Sequence, residues 1–428
     1  MTKQPSRIST NTLIIFSALV LASCSPVNVS HDKEDDSVIS LSKNDLKLEF
    51  SCVHESIPAS SIEAEALFQY ARWLQKNNQL KRDPVANIEI ERLYRISSEH
   101  GHFKANVNLQ NGAMRGHFKL KGHEHLRMSE QLIEGGVATG YLFVAYFLHQ
   151  GSAGLQRDPE MALRYYRKAA DEGSSEAQYF VAEKLAPVDI APDVARQMRR
   201  CAAEQGHAKA AVALSINLRH DGNFREAIEV LQMGVAGGSE SSAGGMSKAF
   251  KAQPVDGLFY FGQTEDLERA DRYEKIWKVL ANYSYAGPSV PEINEILPLP
   301  PAKLPPWDGK LQWLEARLAN IPPEKPSEAL IQKLAKEKVL DPATGKPMPG
   351  SPAFNKANFP IMVCASGQTC PESGYWKVMI NSWEDHIQHF KEGEVMPTYL
   401  MVWTEHRPWP LRDKTMQRHE RVEWGLLG

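Results

Sequence analysis

Residues 163–185 read LRYYRKAADEGSSEAQYFVAEKL and place a glycine between two stretches of amphipathic helix. Gly173 is a poor helix former, but glycine readily adopts the left-handed conformation that ends a helix. Ser174 or Ser175 can then cap the next helix by accepting a hydrogen bond from its first turn. The stretch therefore predicts a helix, a tight turn and a second helix.

The same glycine junction recurs along the chain. It occurs five times at spacings of 32 to 37 residues, at Gly101, Gly136, Gly173, Gly206 and Gly238. Four positions after each glycine stands a small residue: Ala105, Gly140, Ala177, Ala210 and Ser242. Small residues allow helix backbones to approach closely where helix pairs stack. A period in the thirties with two helices per unit is the signature of an α/α solenoid.

An incomplete first copy of the repeat fits residues 63–74, with Ala66 and Ala71 in the small positions. In the third copy, Ala177 and Ala182 are expected to face neighbouring helices. The sequence therefore predicts a mainly α fold with a repeat solenoid over residues 59–250.

Two segments carry a resemblance to a known family. QRDPEMALRYYRKAADEGSSEAQYFVA (156–182) and MRRCAAEQGHAKAAVAL (198–214) resemble Sel-one-like repeats, which are relatives of the tetratricopeptide repeat. The resemblance covers roughly residues 60–250. It implies a scaffold that binds a protein partner, rather than a catalyst.

Composition excludes one class of partner. The 428 residues include 42% hydrophobic and 24% charged residues, and the formal net charge is −3. Basic and acidic residues are mixed along the chain, whereas a nucleic-acid surface needs a concentrated basic stripe. We therefore expect no nucleic-acid partner.

The N-terminus, MTKQPSRISTNTLIIFSALVLASCS, combines two basic residues with a short apolar run. The run is too short to span a bilayer and is typical of a signal peptide, here residues 1–23. Residues 21–24 (LASC) resemble the bacterial lipobox, which implies that Cys24 is acylated and becomes the mature N-terminus. Ser25 follows instead of Asp, which implies an outer-membrane lipoprotein facing the periplasm. Residues 24–58 are polar and predict a flexible tether.

Four cysteines remain besides Cys24. Cys364 and Cys370 flank the short loop ASGQT, and an oxidising compartment favours a disulfide between them. A zinc half-site is the alternative, but no partnering CxxC or HxxxH lies nearby. Cys201 lies on an alanine-rich helix and is interpreted as a small buried thiol. Cys52 has no predicted role.

The last part of the chain (251–428) predicts a different organisation. Residues 266–283 and 327–341 have helical periodicity, and the proline-rich stretch 287–309 carries enough apolar residues to pack against the body. Short runs rich in valine, isoleucine and aromatic residues then predict strands, with a helix at 383–393. The sequence therefore predicts a small α+β domain. The segments LPLPPAKLPPWDG, LDPATGKPMPGSP and CPESGYW resemble an uncharacterised C-terminal domain found behind Sel-one-like repeats in proteobacterial lipoproteins.

No residue pattern predicts catalysis. Phosphate-loop, GxSxG, HExxH and GxGxxG motifs are absent from the sequence. Five histidines lie close together in the sequence, which suggests a metal site: His100, His102, His117, His123 and His125. They lack a repeated ligand spacing, so they are interpreted as a solvated polar edge. A surface or packing role is expected for His386 and His389, and a core role for Trp403, His406 and Trp409. We therefore expect no enzyme, no cofactor and no metal site.

Sel-one-like lipoproteins of this kind resemble immunity proteins that neutralise phospholipase effectors of type VI secretion. The resemblance implies a secreted lipase effector as the partner and a membrane attachment through the N-terminal lipid. The alternative is a constitutive scaffold or adaptor for cell-envelope enzymes.

The first helix of each pair usually lines the concave side of such a solenoid. Four polar residues on these helices interrupt the small-apolar pattern and are predicted to bind the partner: Asn108, Gln110, Gln178 and Asn217.

Overall fold

The computed structural model describes residues 49–186, 191–354, 362–379, 386–405 and 414–426. The expected signal peptide, the expected acylation site Cys24 and most of the expected tether lie outside the described residues. Among the residues that are described, no helix combines the length and apolar character needed to cross a bilayer.

Eleven helices occupy the described part of residues 62–249, and each packs on the next along the chain. They are α1 (Ile62–Asn78), α2 (Pro84–Glu99), α3 (Phe103–Met114), α4 (Gly122–Glu134), α5 (Thr139–Gln150), α6 (Pro159–Asp171), α7 (Ser175–Leu185), α8 (Pro192–Glu204), α9 (Ala208–His220), α10 (Phe224–Ala236) and α11 (Glu240–Ala249). The predicted α/α solenoid is confirmed. Each junction glycine lies where an even-numbered helix gives way to the next odd-numbered one.

The junction glycines end their helices in the left-handed conformation. The φ angles are +78° at Gly101, +71° at Gly136, +108° at Gly173, +82° at Gly206 and +87° at Gly238. At four junctions the following side chain caps the next helix by accepting a hydrogen bond from the backbone N–H three residues on: His102, Ser174, His207 and Ser239. The turn predicted within residues 163–185 is therefore confirmed.

The small residues lie where helices cross. Four are fully buried: Ala105, Ala177, Ala210 and Ser242. At Gly140 a Cβ would lie 2.6 Å from the carbonyl oxygen of Ser129. Ala182 is likewise fully buried and packs with Ala195 and Met198, as predicted.

The register predicted for the first copy is wrong by two residues. The cap of α1 is Ser61, so its buried small residue is Ala64, and Ala66 is only half-buried. Ala71 is fully buried, as expected.

Residues 49–58 lie against the solenoid and are not the flexible tether that the sequence predicted. Phe50 packs beside Ala182, and the Glu55 carboxylate accepts hydrogen bonds from the Thr139 backbone N–H (2.6 Å) and hydroxyl (2.8 Å). Single hydrogen bonds and scattered side chains attach this segment to the solenoid. Its sequence therefore has no apolar run that would predict the attachment.

The helices after the repeats are α12 (Leu267–Asn282), α13 (Ile293–Ile296), α14 (Gln312–Ala319) and α15 (Glu328–Glu337). Helix α12 packs on α11, and the proline-rich stretch lies packed as predicted, with Val290, Ile293 and Leu297 fully buried. These side chains share one core with helices α9 to α11. The core therefore does not break at residue 250, where the sequence placed a domain boundary.

Helix α15 brings the chain back to its first repeat. Ile331, Leu334 and Ala335 are buried in the same core as Ile90 and Leu93 of α2. The sequence predicted this helix but gave no sign of where it would pack.

Six strands follow in the described residues: β1 (Met362–Ala365), β2 (Gly374–Val378), β3 (Ile387–Phe390), β4 (Tyr399–Glu405), β5 (Lys414–Glu420) and β6 (Glu423–Leu426). Four of them form an antiparallel sheet in the order β1-β6-β2-β3, and β4 pairs with β5. Trp376 and Trp424 are buried in the core of the four-stranded sheet. The predicted α+β character is confirmed.

The helix predicted at 383–393 is wrong over its described part. Strand β3 pairs with β2 there, and tertiary pairing overrides the helical spacing of Ile387 and Phe390. His389 therefore lies on a strand, 5.1 Å from the Tyr375 ring. Trp403 is 45% exposed on β4 and is not a core residue, while His406 and Trp409 lie outside the described residues.

Candidate functional site

The four residues predicted to bind a partner do not form an exposed row. Gln110 and Gln178 are fully buried, and Asn108 and Asn217 are half-buried. The Asn108 amide donates to the Tyr94 hydroxyl (3.3 Å), and the Asn217 carbonyl accepts from Arg199 (2.6 Å). The prediction is therefore wrong for the two glutamines, and the two asparagines have intramolecular partners.

Gln110 connects helices α3 and α4. Its amide donates to Asn106 (2.8 Å), and its carbonyl oxygen accepts from the Ser129 hydroxyl (3.2 Å) and lies 3.2 Å from Nδ1 of His125. Burial lowers the pKa of His125 to about 4, so this ring is neutral at pH 7. Buried polar groups need hydrogen-bond partners, and Gln110 supplies them to Asn106, His125 and Ser129.

Gln178 attaches the N-terminal segment to helix α7. Its amide donates to the carbonyl oxygens of Val53 (2.9 Å) and Ala170 (3.1 Å), and its own carbonyl accepts from Gln205 (3.0 Å). The same segment lies so close to Gly173 that a Cβ there would be 2.7 Å from the backbone of residues 54 and 55. Residues 49–58 thus cover Gln178, one of the four residues that the sequence assigned to a partner surface.

Two histidines serve the repeat itself. Nδ1 of His102 caps α3, and its Nε2 lies 2.8 Å from Glu65. His207 makes the same two contacts at another junction: its Nδ1 caps α9, and its Nε2 lies 2.9 Å from Glu176. The polar-edge interpretation is therefore wrong for His102 and also for His125, since both rings are buried. The missed signal was the glycine–histidine pair that both junctions share.

The cysteine predictions need correction. Cys52 forms a disulfide with Cys201, so Cys201 is not a free thiol, and Cys364 and Cys370 are free and buried. Cys364 lies in strand β1, and its sulfur is 3.6 Å from the Thr369 carbonyl oxygen. The Cys370 sulfur is 3.2 Å from a different carbonyl, that of residue 372. Burial raises the pKa of the Cys364 thiol.

His54 lies near the disulfide, within 4.8 Å of both sulfur atoms. Thiolate is the form of cysteine that ligates metals, and neither sulfur of a disulfide is a thiolate. The cluster is therefore a covalent attachment point rather than a metal site.

Arg95 forms a buried ionic cluster beneath the first repeats. It is 1% exposed and donates to Glu124 (2.6 Å), Glu91 (2.8 Å) and the Lys119 carbonyl oxygen (2.7 Å). Burial alone would raise the pKa of Glu124, but the guanidinium lowers it to about 2. All three charged side chains have a partner of opposite charge, so the cluster has a structural role.

An exposed apolar groove lies between helices α9, α11 and α12 and the loop 254–262. Its volume is about 540 Å³, and three large apolar side chains line it while remaining partly exposed: Ile216 (52%), Leu258 (69%) and Trp277 (40%). Gly244 and Gly245 of α11 keep the groove open, because a Cβ on Gly244 would lie 3.3 Å from the Trp277 ring. Helices α9 and α11 are first helices of their pairs, the kind of helix from which the sequence predicted partner contacts, but the large exposed side chains in the groove are apolar.

The rim of this groove is polar and its loop is held in place. Lys251 pairs with Glu274 (3.0 Å), and the Lys248 ammonium lies 4.2 Å from the Phe259 ring centroid. Arg219 donates to the carbonyl oxygen of residue 257 (3.4 Å). An apolar centre within a polar rim is the usual anatomy of a protein interface.

Part of the chain matches a known domain family. Residues 242–348 match DUF6396, a domain of unknown function. Of the three segments that resemble an uncharacterised C-terminal domain, the match includes LPLPPAKLPPWDG (297–309), ends within LDPATGKPMPGSP (340–352) and does not reach CPESGYW (370–376). No curated protein matches the chain significantly.

Three solved structures similar to this chain are two immunity proteins and a repeat protein. Immunity protein PA5088 from Pseudomonas aeruginosa is 25% identical, with a TM-score of 0.47 over 59% of this chain and 94% of that chain. Immunity protein Pa5087 from the same organism is 23% identical, with a TM-score of 0.46 over 59% and 95%. A Sel1 repeat protein from Oxalobacter formigenes is 19% identical, with a TM-score of 0.34 over 50% and 86%.

Proposed function

We propose that this chain binds a protein partner through the apolar groove of helices α9, α11 and α12. The groove carries the proposal, because its large apolar side chains converge on one concave surface instead of being scattered. Binding energy usually concentrates in a few central residues, and tryptophan is enriched among them. Trp277 is therefore the expected centre of the interface.

We further propose that the partner is a phospholipase effector of type VI secretion and that the chain is its immunity protein. This step rests on the resemblance of the repeats and the lipobox to that class. Such an immunity protein covers the active site or the membrane-approach surface of the effector. An effector that acts in the periplasm requires an antidote there, and acylation of Cys24 would supply that location.

Charged substitutions in the groove test the binding surface. In the soluble form lacking residues 1–24, Ile216→Glu combined with Leu258→Glu is expected to weaken binding to the cognate effector at least tenfold. The physical reason is that two carboxylates would be desolvated at the centre of the interface. The affinity is measured by calorimetric titration, and the melting temperature is measured in parallel.

Leu163→Glu on α6 is the matched control, because Leu163 is 50% exposed and lies outside the groove. It should leave the affinity unchanged. Undiminished binding by the double groove variant would contradict the proposed surface.

The proposed anchor is tested at Cys24. Cys24→Ala should abolish acylation and leave the precursor uncleaved by the lipoprotein peptidase, because the thiol that receives the lipid is missing. Intact mass and membrane fractionation measure both effects. A wild-type mature chain that is soluble without detergent and has no acyl mass at its N-terminus would refute the anchor.

A further inference from the structure

A second pocket lies where the first helix of the solenoid meets residues 286–321. It has a volume of about 370 Å³ and lies between helix α1, helix α14 and residues 286–287. Three cationic side chains line it: Arg72 and Lys76 from α1, and Arg317 from α14. It is separate from the apolar groove and shares no lining residue with it.

The cations of this pocket have no anionic partner within the described residues. Arg72 donates instead to the neutral side chain of Gln75 (2.7 Å). Most other half-buried or buried arginines in the described chain pair with carboxylates, as Arg127 does with Glu99 (2.6 Å), and Arg219 is an exception that donates to a backbone carbonyl. Three converging cations without a carboxylate therefore stand out in a chain whose net charge is negative.

The cations lie close enough to repel one another. Burial lowers the pKa of Lys76, and the positive charges of Arg72 and Arg317 lower it further. Like charges held together in a partly desolvated pocket destabilise the fold unless a ligand neutralises them. The arrangement therefore favours an anionic ligand.

Aromatic rings hold Arg317 in position without neutralising it. Its guanidinium carbon lies 5.9 Å from the ring centroid of Tyr283, 5.5 Å from that of Tyr285 and 5.7 Å from that of Trp313. Cation–π contacts of this kind orient the guanidinium and leave its N–H donors available to a ligand.

Hydrogen bonds between α1 and α14 keep the pocket assembled. The amides of Asn77 and Asn320 bond to each other (2.8 and 3.1 Å), and the Trp73 indole donates to the Asn320 carbonyl oxygen (3.4 Å). The two helices are more than 200 residues apart in sequence, so these bonds connect the first repeat to the C-terminal region.

The positive surface continues into an adjacent pocket of about 250 Å³. Arg72 lines both pockets, and Arg82, Arg115 and His117 line the second one. In the described part of the chain, none of these three side chains forms an ion pair either. Arg82 and Arg115 therefore place further positive charge beside the pocket.

We propose that the pocket formed by Arg72, Lys76 and Arg317 binds a phosphate-bearing ligand. Guanidinium groups match phosphate oxygens with paired N–H donors, and a phosphate carries enough charge to neutralise several cations. The volume suits a small molecule or a headgroup, and the aromatic walls suit its less polar part. The phosphate could belong to a free compound or to a lipid headgroup, and the experiment separates these sources.

The test uses the soluble form lacking residues 1–24, so that neither the apolar run near the N-terminus nor an acyl chain contributes to membrane binding. Its binding to inorganic phosphate and glycerol 3-phosphate is measured by calorimetry. Its binding to vesicles of phosphatidylglycerol or phosphatidylcholine is measured by flotation. The comparison variant adds Lys76→Gln and Arg317→Gln, and the control adds Arg164→Gln and Arg225→Gln, whose side chains are 67% and 92% exposed.

We expect the parent and the control to bind at least one of the phosphate probes. The pocket variant should bind that probe at least tenfold more weakly, and its melting temperature should be similar to that of the parent. Binding of the soluble phosphates assigns a free ligand, and binding of phosphatidylglycerol vesicles alone assigns a lipid headgroup. Failure of every phosphate probe, or equal binding by the pocket variant, would overturn the proposal. Loss of effector binding by that variant without any phosphate binding would also overturn it and would assign the pocket to an acidic protein segment.

Discussion

Arg95→Met is expected to destabilise the fold by about 3–5 kcal/mol, because it removes one member of a buried ionic cluster and leaves the other charges without a partner. Glu124 is 7% exposed and would retain only the Lys121 backbone N–H at 2.9 Å as a hydrogen-bond donor. Methionine fills a similar volume, so the cost arises from charge rather than from a cavity. Chemical denaturation at pH 7 measures the free energy of unfolding.

Two comparisons separate the buried charge from other effects of this substitution. Adding Glu124→Gln to Arg95→Met should recover part of the loss, since the unpaired carboxylate is then gone. Arg164→Met should cost less than about 1 kcal/mol, because Arg164 and its partner Glu160 are both largely exposed. Equal losses for Arg95→Met and Arg164→Met would show that the cluster contributes no more than a surface pair.

The pH dependence follows from Glu124. Its pKa in the folded chain is about 2, below the usual value of 4.5, so its contribution to stability is present above pH 4.5 and is lost as the pH falls towards 2. In Arg95→Met, the guanidinium no longer opposes the effect of burial, so the pKa of Glu124 is higher than in the parent protein. The difference in stability between the two proteins should therefore shrink as the pH falls from the raised pKa of Glu124 in the variant towards 2, and titrations common to both, including that of Glu124 in the unfolded chain, cancel in that difference.

The repeat was predictable because its determinants are local. A left-handed glycine, a capping side chain and a small residue at a helix crossing all lie within a few positions of one another. Gly173, Ser174 and Ala177 therefore reveal the turn without knowledge of the rest of the chain. The same locality explains why the proline-rich stretch could be recognised as packed.

The binding residues were not predictable in this way, because burial of a polar side chain depends on distant partners. Gln178 is polar in the sequence, but Val53, which lies 125 residues away, supplies its acceptor and covers it. Gln110 is satisfied by residues of the next helix. The apolar groove was missed for the opposite reason: Ile216 and Trp277 have the periodicity of core residues, and only the arrangement of α9, α11 and α12 leaves them exposed.

Cysteine pairing also depends on long-range structure. The short spacing of Cys364 and Cys370 favoured a disulfide between them, while Cys52 and Cys201 are 149 residues apart and have no spacing signal. Strand β1 places the Cys364 backbone in register with Trp424 and leaves its thiol free. The docked segment 49–58 brings Cys52 to helix α8 instead.

Cys52→Ala combined with Cys201→Ala is expected to destabilise the fold by roughly 2–5 kcal/mol, because the disulfide closes a long loop and restricts the unfolded chain. The loss should be largest around residues 49–58, which are otherwise held by single hydrogen bonds such as those from Gln178 and Thr139. Amide exchange in this segment should accelerate strongly, and the melting temperature should fall by several degrees.

Reductant provides the matched control for this variant. Reductant should lower the melting temperature of the wild-type protein to that of the double variant. It should leave the melting temperature of the double variant unchanged. A count of free thiols cannot separate the observed disulfide from a Cys364–Cys370 bond, because each leaves two thiols in the mature chain. Peptide mapping without reduction does separate them, since it should recover the segment containing Cys52 linked to α8. Recovery of a Cys364–Cys370 peptide, with residues 49–58 exchanging equally fast in both proteins, would show that the segment is held by something other than this bond.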